Sequence, residues 1–366
     1  MTNDLLYQVA LTLIPSIGPV HTKALVEKFG DAKTVFGAKK KDLYAVEGIT
    51  DLKIKAIAAF DDFATAENEI AFIEKYKIQP LFITAKNYPQ KLLNCDDSPP
   101  LLYYRGNADL NVSKVVSIIG TRDNTEYGRE VTEKLVEALK EQQVLIVSGL
   151  AFGIDVAAHK AALKHGLNTV GVLAHGLDIM YPAAHKTIAK EMIQHGGLLT
   201  EFSKGTKADK HNFPRRNRIV AGMADATIVI ETAIKGGSMI TAALANGYNR
   251  DVFAVPGRVT DSRSEGCNYL IKNNRAILLT DAQQLLETMG WEKRKAKRNV
   301  QKELFIELSG DEQTLANILK EKDAVHIDEL YLKSGLTTST VAAAILNLEL
   351  QNVISSLPGK MYRWSL

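Results

Sequence analysis

The sequence predicts an α/β protein whose core is a doubly wound, Rossmann-like parallel sheet, flanked by a small all-helical N-terminal domain and a C-terminal winged-helix domain. Residues 115–163 follow the order strand, turn, helix, strand, turn, helix, and both strands are short apolar runs rich in β-branched residues. Five further runs of this kind alternate with helical patterns up to residue 290. Residues 303–366 instead hold three helical stretches and an alternating segment around Pro358-Gly359, which is the order of a winged helix.

The N-terminal domain, residues 1–65, is predicted to consist of short helices around two similar turns. The turns, at residues 14–20 and 46–50, each place a glycine between apolar residues and precede a helix whose first half is basic. This pattern is similar to a helix-hairpin-helix or SAM-like domain, in which turn amides hold a DNA phosphate. Ordinary helix–helix turns with glycine in the left-handed conformation explain the pattern equally well. Both interpretations remain open.

The segment at residues 66–113 is predicted to be a connector leading into the sheet domain. It has a strand at residues 78–83, and residues 88–92 and 98–106 are predicted to form turns bordering an added strand. The sheet domain itself is predicted at residues 114–290. Its seven parallel-type strands lie at residues 115–119, 144–147, 169–173, 197–200, 227–231, 252–255 and 276–279. Helical patterns lie between them and after them, at residues 183–195, 216–223, 238–249 and 282–289.

The predicted ligand site follows from the direction of these strands. In parallel sheets, ligands bind beyond the carboxyl ends of the strands. The first strand ends at Gly120-Thr121-Arg122, and the second ends at a turn that begins with Ser148-Gly149. Each turn leads into a helix, whose free amides and positive dipole attract negative charge. The ligand is therefore predicted to be an anion.

The segment at residues 207–222 is the richest in groups that bind nucleic acid. Lys210, Arg215, Arg216 and Arg218 surround a single aromatic residue, Phe213. Cations for phosphates beside a ring for a base are the composition of a single-strand binding surface. The alternative is that the ring belongs to the core and the arginines form a solvated helix face.

A glycine-rich turn opens a later helix of the sheet domain. Gly237 and Ser238 follow the strand at residues 227–231, and such amides can bind an oxyanion. A plain tight turn is the alternative. The sequence contains neither a phosphate-binding G-x-x-x-x-G-K-[ST] motif nor a G-x-G-x-x-G motif at a strand end, so nucleotide hydrolysis and dinucleotide redox chemistry lose support.

Other chemistry-bearing residues suggest neither catalysis nor metal binding. Asp155 and His159 are four residues apart on one helix and face the same side, but no third group completes a catalytic set. The preferred interpretation is a histidine tied to a carboxylate for structure. The remaining histidines lack metal-ligand spacing, and Cys95 and Cys267 are far apart. No metal, cofactor or disulfide is predicted.

The composition predicts a soluble cytoplasmic protein. The chain is 46% hydrophobic and 24% charged, with a formal net charge of +3. No apolar run approaches the roughly 20 residues of a membrane span, and the N-terminus has no basic leader. Only two cysteines fit a reducing compartment. Residues 291–302 contain six Lys or Arg against one Glu, which predicts a solvated linker, with nucleic-acid contact as the alternative.

The winged-helix domain, residues 303–366, has a charge pattern that argues against duplex binding. Its third helical stretch, residues 338–350, contains no Lys or Arg, and the domain has five basic against nine acidic residues. A recognition helix without cations gains no counterion-release free energy on DNA. This domain is therefore predicted to contact protein rather than DNA.

The ordered motifs of the sheet domain resemble those of the DNA-processing protein A family (DprA, also called Smf). The resemblance covers about residues 80–280. It rests on Ile119-Gly120-Thr121-Arg122, Ser148-Gly149-Leu150-Ala151, Gly176-Leu177-Asp178, Tyr181-Pro182, Phe213-Pro214-Arg215-Arg216-Asn217-Arg218, Gly237-Ser238 and Val255-Pro256-Gly257. It implies a non-catalytic protein that binds and protects incoming single-stranded DNA in natural transformation and loads the RecA recombinase. It also implies a homodimer formed through the Rossmann-like domain.

The resemblance also assigns residues. Arg122 and Lys210 would hold phosphates and Phe213 would stack on a base, while Arg215 occupies a variable position of the motif. Two departures are Thr121, where serine is commoner, and residues 273–276, which replace the usual Gly-Ala. The complete predicted DNA-binding set is Gly120, Thr121, Arg122, Ser148, Gly149, Lys210, Phe213, Arg216, Asn217, Arg218, Gly237 and Ser238.

A second function class is an enzyme that processes nucleoside monophosphates. The Gly236-Gly237 turn is similar to the glycine-rich turn of phosphoribohydrolases with related sheets. That class has Gly-Gly-x-Gly-Thr followed by a helix Glu, whereas this chain has Gly-Gly-Ser-Met-Ile-Thr and no Glu before Asn249. DNA binding is the preferred hypothesis.

Overall fold

The structure is a computed structural model that describes residues 3–292 and 308–365. The chain divides into two compact units, Met1–Thr280 and Asp281–Leu366. Across the described residues, we find no helix with the length and apolar character needed to cross a membrane. The basic linker predicted at residues 291–302 lies, from residue 293 onward, outside the described residues.

The first unit begins with six helices. They are α1 (Asn3–Leu13), α2 (Pro19–Phe29), α3 (Ala32–Gly37), α4 (Lys40–Tyr44), α5 (Asp51–Ala58) and α6 (Phe63–Lys75). Helix α2 begins with Pro19, which has no amide hydrogen to leave unpaired there. Helix α1 packs on α3 and α6 through aromatic contacts of Tyr7 with Phe36 and Phe63. The expected helical content of this region is confirmed.

The two N-terminal turns are present, but two of the lysines that follow them are engaged within the protein. Gly48 has a φ of +75°, which favours glycine, and lies against the His21 ring. Lys53 donates to the Gly48 carbonyl at 2.6 Å and lies 2.7 Å from His21 Nε2. Lys23 donates to the Leu93 carbonyl at 2.9 Å. These ammonium groups stabilise the packing of the helices.

A nine-stranded sheet follows in the order β1-β2-β6-β5-β4-β3-β7-β8-β9. The strands are β1 (Gln79–Phe82), β2 (Leu101–Gly106), β3 (Val115–Ile119), β4 (Leu145–Ser148), β5 (Thr169–Val172), β6 (Gly196–Thr200), β7 (Ala226–Val229), β8 (Asp251–Ala254) and β9 (Ile277–Leu278). Strands β3 to β9 pair in parallel, which confirms the predicted fold class. Strands β1 and β2 add to one edge in antiparallel orientation, so residues 66–113 supply part of the sheet.

Helices cover both faces of the sheet, as a parallel sheet requires. They are α7 (Gln90–Leu93), α8 (Glu126–Ala138), α9 (Ile154–Lys164), α10 (Lys186–Gln194), α11 (Asn212–Met223), α12 (Gly237–Gly247) and α13 (Glu265–Lys272). All five residues of β3 are buried, and so are the four residues of β4. The sequence patterns did not predict α13.

The strand order creates one topological switch point. From β3 the chain winds through β4 and β5 to β6 on one side, and then returns to β7 on the other side of β3. The helices that follow β3 and β7 therefore leave the sheet on opposite faces. A crevice opens between the ends of these two strands, which is where doubly wound folds bind ligands.

The second unit consists of α14 (Ala282–Thr288), α15 (Gly310–Lys320), β10 (Val325–His326), α16 (Ile327–Ser334), α17 (Thr338–Leu350), β11 (Ile354–Leu357) and β12 (Met361–Trp364). Its sheet is antiparallel in the order β10-β12-β11, and a capping box of Ser309 and Glu312 begins α15. Leu315, Val341 and Leu348 are fully buried in its core. The predicted winged helix is confirmed, and α14 falls in this unit rather than with the sheet.

Candidate nucleic-acid interface

The carboxyl ends of the central strands open into a groove of about 770 Å³, here called the switch-point groove. It brings together the turns after β3, β4 and β7 with the beginning of α11 and α12. Ten of the twelve predicted residues line it, and they are Gly120, Thr121, Arg122, Gly149, Lys210, Phe213, Arg216, Asn217, Gly237 and Ser238. The sheet thus places side by side residues that are up to 118 positions apart in the chain.

The turn after β3 is fixed by its backbone. The Thr121 amide donates to the Glu231 carbonyl at 2.7 Å, and the Thr121 carbonyl accepts from the Ile154 amide at 3.1 Å. Gly153, with a φ of +81°, lies so close to the Thr121 carbonyl that a Cβ atom would not fit. A Cβ at Gly120 would lie 2.5 Å from Ile154 Cγ1. The turn is therefore rigid, and the exposed Arg122 side chain extends from it.

Glu231 supports the candidate site from below and was not among the residues predicted from the sequence. Its side chain is 1% exposed and accepts hydrogen bonds from the Thr125 amide at 2.9 Å and the Thr125 hydroxyl at 2.5 Å. Gly128 lies against the same carboxylate, with no room for a Cβ atom. Glu231 therefore joins the end of β7 to the beginning of α8. No sequence motif indicates this contact, because Thr125 and Gly128 are more than 100 positions away from Glu231.

Arg122 and Phe213 form the exposed contact at the mouth of the groove. The Arg122 Cζ atom lies 5.1 Å from the Phe213 ring centroid, within cation–π range. The Phe213 ring is half-buried, and Lys210 is exposed three residues earlier. The ring is thus neither a core residue nor free in solvent. It keeps an accessible surface beside two cations.

Arg216 contributes charge from the floor of the groove. It is 6% exposed, donates to the Val172 carbonyl, and its Nε donates to Asn217 Oδ1 at 3.1 Å. Burial lowers the pKa of this guanidinium, while the neighbouring Asp155 carboxylate opposes that shift. An arginine stays protonated in proteins, so the groove has a fixed positive charge beneath its surface.

Among the described residues that line the switch-point groove, Asp155 is the one acidic side chain. Burial raises the pKa of its carboxyl group, and the charge of Arg216 works against that rise. Gly149 lies beside both groups, since a Cβ there would be 2.7 Å from each terminal nitrogen of Arg216. The glycine thus allows the turn after β4 to pass over this buried acid and base.

The expected contact of His159 with Asp155 is wrong. His159 Nδ1 lies 2.7 Å from Thr169 Oγ1, and its Nε2 lies 2.5 Å from the Gly149 carbonyl. Burial lowers the pKa of this imidazole to about 4, so it is neutral at physiological pH. The histidine does have a structural role, but it supports the turn at Gly149 instead of the carboxylate.

Two predicted residues lie outside the groove. Arg218 is 7% exposed and forms a buried ion pair with Glu201. Helical periodicity explains this, because positions 216 and 218 point in different directions from the axis of α11. Ser148 is fully buried and donates its hydroxyl to the Ile118 carbonyl at 2.6 Å. Both residues are therefore buried structural residues that lie outside the lining of the groove.

The turn after β7 presents the N-terminus of α12 to the groove. Ser238 donates its hydroxyl to Thr232 Oγ1 at 2.7 Å, so its side chain is engaged. No side chain caps the helix at Gly236, and a Cβ at Gly237 would have open space around it. What this turn offers a ligand is backbone amides and the positive end of the helix dipole.

The structure also reveals two exposed aromatic residues near Phe213. Tyr181 is 47% exposed with its ring centroid 6.1 Å from that of Phe213, and Phe152 is 48% exposed. Together with Phe213 they line a small pocket beside the groove. The sequence held one indication of them, since Phe152 lies in the glycine-bounded turn after β4 and Tyr181 precedes a proline.

The chemistry available in the groove is that of binding. Its described lining holds two exposed cations, a buried cation beside the Asp155 carboxylate, the aromatic rings of Phe213 and Tyr181, and a helix N-terminus. Within the described parts of the chain there is no group of three or more His, Cys, Asp or Glu placed to hold a metal ion. A segmented anion with flat apolar groups between its charges fits this combination.

Comparison with known proteins shows similarity to one family along most of the chain. The family model described as DNA recombination-mediator protein A matches residues 79–290, and the model of the DprA winged helix domain matches residues 305–360. Protein Smf of Synechocystis is 32% identical over 98% of both chains.

Two solved structures are also similar to this chain. DNA processing protein A from Streptococcus pneumoniae is 32% identical, covers 78% of this chain and 98% of its own, and has a TM-score of 0.66. DNA processing protein A from Helicobacter pylori is 31% identical, covers 59% of this chain and 98% of its own, and has a TM-score of 0.53. The structure of the Helicobacter protein concerns its single-stranded DNA binding mode.

Proposed function

The chain belongs to the DNA recombination-mediator protein A family, and on that premise we propose that it binds single-stranded DNA in the switch-point groove. Arg122 and Lys210 hold phosphates, Phe213 stacks on a base, and the amides at Gly237 add a further phosphate contact. Arg216 and Asn217 support binding from the floor of the groove. Ser148 and Arg218 contribute indirectly, by stabilising the fold around the groove.

The observation that carries this proposal is the contact between Arg122 and Phe213. The Arg122 cation lies 5.1 Å from the half-buried Phe213 ring, and this supports a phosphate contact next to a stacked base. The bases of a duplex are stacked on one another and offer no face to such a ring. A single strand offers both its phosphates and its base faces, so this pair selects single strands.

We propose that the protein protects incoming single-stranded DNA during natural transformation and passes it to the RecA recombinase. It does so without catalysis or a cofactor, as a homodimer formed through the sheet domain, in the cytoplasm. Family membership supports this role. The groove adds support, because its acid, Asp155, is 8% exposed, accepts from the Ala151 amide at 3.4 Å and lies beside Arg216.

We also propose a division into five parts with distinct roles. These are a helix-hairpin-helix or SAM-like domain (1–65), a connector (66–113), the DNA-binding sheet domain (114–290), a basic linker (291–302) and the winged helix (303–366).

The winged helix is proposed to bind protein. Its Thr337 hydroxyl is used within the domain, contacting Thr340 Oγ1 at 2.8 Å and the Thr340 amide at 3.3 Å. Its Lys322 and Lys333 pair with glutamates, which lowers their availability to DNA.

The test is a competition between single-stranded and duplex oligonucleotides for the full chain, followed by fluorescence anisotropy. Arg122→Ala is compared with Arg129→Ala, a matched control on the exposed surface of α8, where Arg129 forms an exposed ion pair with Glu126. The proposal predicts preference for the single strand and a loss of affinity for Arg122→Ala alone. Equal affinity for both DNA forms, or equal loss in both variants, contradicts it.

The competing function is hydrolysis of nucleoside monophosphates at the Gly236-Gly237 turn, which does lie in the groove. Product analysis of a nucleoside monophosphate mixture distinguishes the two functions. Release of free base that depends on this turn would favour the enzyme, and we expect no release.

A further inference from the structure

We propose that Tyr181 and Phe152 continue the base-stacking surface that begins at Phe213, so that the protein holds a row of splayed bases rather than one. This inference rests on the proposed function, because it concerns the bases of the same single strand. We call Phe213, Tyr181 and Phe152 the aromatic track. None of the sequence motifs assigned a role to the second and third members.

Two of the three rings are adjacent, and the third borders the same pocket. Tyr181 lies 6.1 Å from Phe213, centroid to centroid, with the ring planes at 54°. All three side chains line the same small pocket, whose base is formed by Leu150 and Leu173. Arg122 also lines this pocket, so the track is continuous with the proposed phosphate site.

The exposure of the two added rings needs an explanation. Tyr181 is 47% exposed and Phe152 is 48% exposed, although each follows a buried strand end where apolar side chains could have packed inward. Neighbouring exposed aromatic side chains on a soluble surface mark an interaction site. Because cations border them, the occupant that fits is a polyanion with flat apolar groups.

Two buried histidines contact these residues, one at the ring of Phe152 and one at the backbone of Tyr181. The Phe152 ring meets the His185 ring edge-on at 4.9 Å, and His185 Nδ1 lies 2.9 Å from the Leu150 carbonyl. His175 accepts a hydrogen bond from the Tyr181 amide at 3.2 Å. Both histidines are almost completely buried. Rings fixed before binding lose little conformational entropy when a base stacks on them.

The spacing of the track suits a single strand. Successive bases of a duplex strand rise by about 3.4 Å, whereas the first two rings of the track are 6.1 Å apart and tilted. Bases placed on both rings would therefore be splayed and unstacked from each other. Only a strand without a complement can adopt that arrangement.

The experiment measures binding of labelled oligothymidylates to the full chain and to Tyr181→Ala and Phe152→Ala. Each variant is expected to lose between about 5-fold and 150-fold in affinity, the range of one lost base stack. The salt dependence should not change, because no cation is removed. Tyr127→Ala is the matched control, since Tyr127 is 52% exposed on α8 and does not line the groove.

An abasic scan makes the assignment specific. Removing one base at a time from the oligonucleotide should weaken wild-type binding at two or more neighbouring positions. Removing the base that contacts Tyr181 should not weaken binding to Tyr181→Ala any further, because the base and the ring are coupled partners. Tyr181→Phe keeps the ring and should bind several-fold more tightly than Tyr181→Ala, which separates a lost base stack from a disturbed loop.

The outcomes separate this inference from the proposed function. If wild type binds single strands and loses affinity on Arg122→Ala, but both track variants bind within twofold of wild type, the track is wrong and the function stands. If wild type does not bind single strands at all, the proposed function fails first. Binding lost in Tyr181→Ala and equally in Tyr181→Phe also overturns the track.

Discussion

Replacing Arg218 should destabilise the protein without removing a DNA contact. The residue belongs to a basic segment that the sequence assigns to DNA, yet its side chain is 8% exposed and its partner Glu201 is 5% exposed. Arg218→Met removes the cation and leaves the carboxylate buried. The change is therefore a direct test of where the structure places this arginine.

The magnitude follows from the burial of the pair. Breaking a buried ion pair by removing one partner costs about 3–5 kcal/mol, because the other charge stays uncompensated. Arg215 lies 3.4 Å from the same Glu201 oxygen, but its side chain is 57% exposed, and exposed pairs contribute at most about 1 kcal/mol. We therefore expect a loss near the lower end, about 3 kcal/mol. Arg218→Met with Glu201→Leu should recover most of it.

The assay is urea unfolding of the full chain followed by circular dichroism, with single-strand affinity measured where each variant is folded. Arg218→Met should shift the midpoint to lower urea and bind DNA like wild type. Arg122→Ala should instead keep the wild-type urea midpoint and bind DNA more weakly. If Arg218→Met is as stable as wild type but binds DNA more weakly with a smaller salt slope, the residue contacts DNA and the reasoning is refuted.

Three further predictions follow from other parts of the molecule. Phe213→Ala should lose about 1–3 kcal/mol of single-strand affinity with an unchanged salt slope, and loss of folded structure by circular dichroism would instead make the ring a core residue. His159 has a folded pKa of about 4 against an ordinary 6.5, so the unfolded chain binds the proton first as pH falls. Protonation of His159 in the unfolded chain should therefore lower the free energy of unfolding by about 3 kcal/mol between pH 6.5 and 4. Urea titrations across this pH range should show a flatter profile for His159→Gln than for wild type. A similar slope in both proteins would contradict it. Truncation after Gln301 should change single-strand affinity by less than about tenfold, or roughly 1.4 kcal/mol, and a larger loss would show that the winged helix binds DNA.

The sheet could be predicted from the sequence because buried parallel strands leave a local pattern. Val115–Ile119 is apolar at four of its five positions, and the structure buries all five residues, including Ser117. The added edge strands were harder to assign, since β2 pairs antiparallel with β6, and residues 103 and 200 are nearly a hundred positions apart. Strand order depends on such distant pairs, so it cannot be predicted from the residue pattern of any single segment.

The groove was predictable only where a motif lies on a single turn or helix. Arg122 and Phe213 could be found because one follows a strand and the other stands among cations. Glu231 could not, because its role comes from contact with Thr125 across the switch point. Arg218 shows the opposite error, since composition cannot distinguish the exposed side of α11 from its buried side.

The central claim, that a single strand lies in the switch-point groove with its phosphates on Arg122 and Lys210, is tested most directly by the salt dependence of binding. If about four to six phosphates are neutralised, log affinity should fall against log salt with a slope of about −3 to −4, at roughly −0.7 per contact. Arg122→Ala should make the slope shallower by about 0.7, while Arg129→Ala should leave it unchanged. A salt-independent affinity, or equal slopes for wild type and Arg122→Ala, would contradict the account.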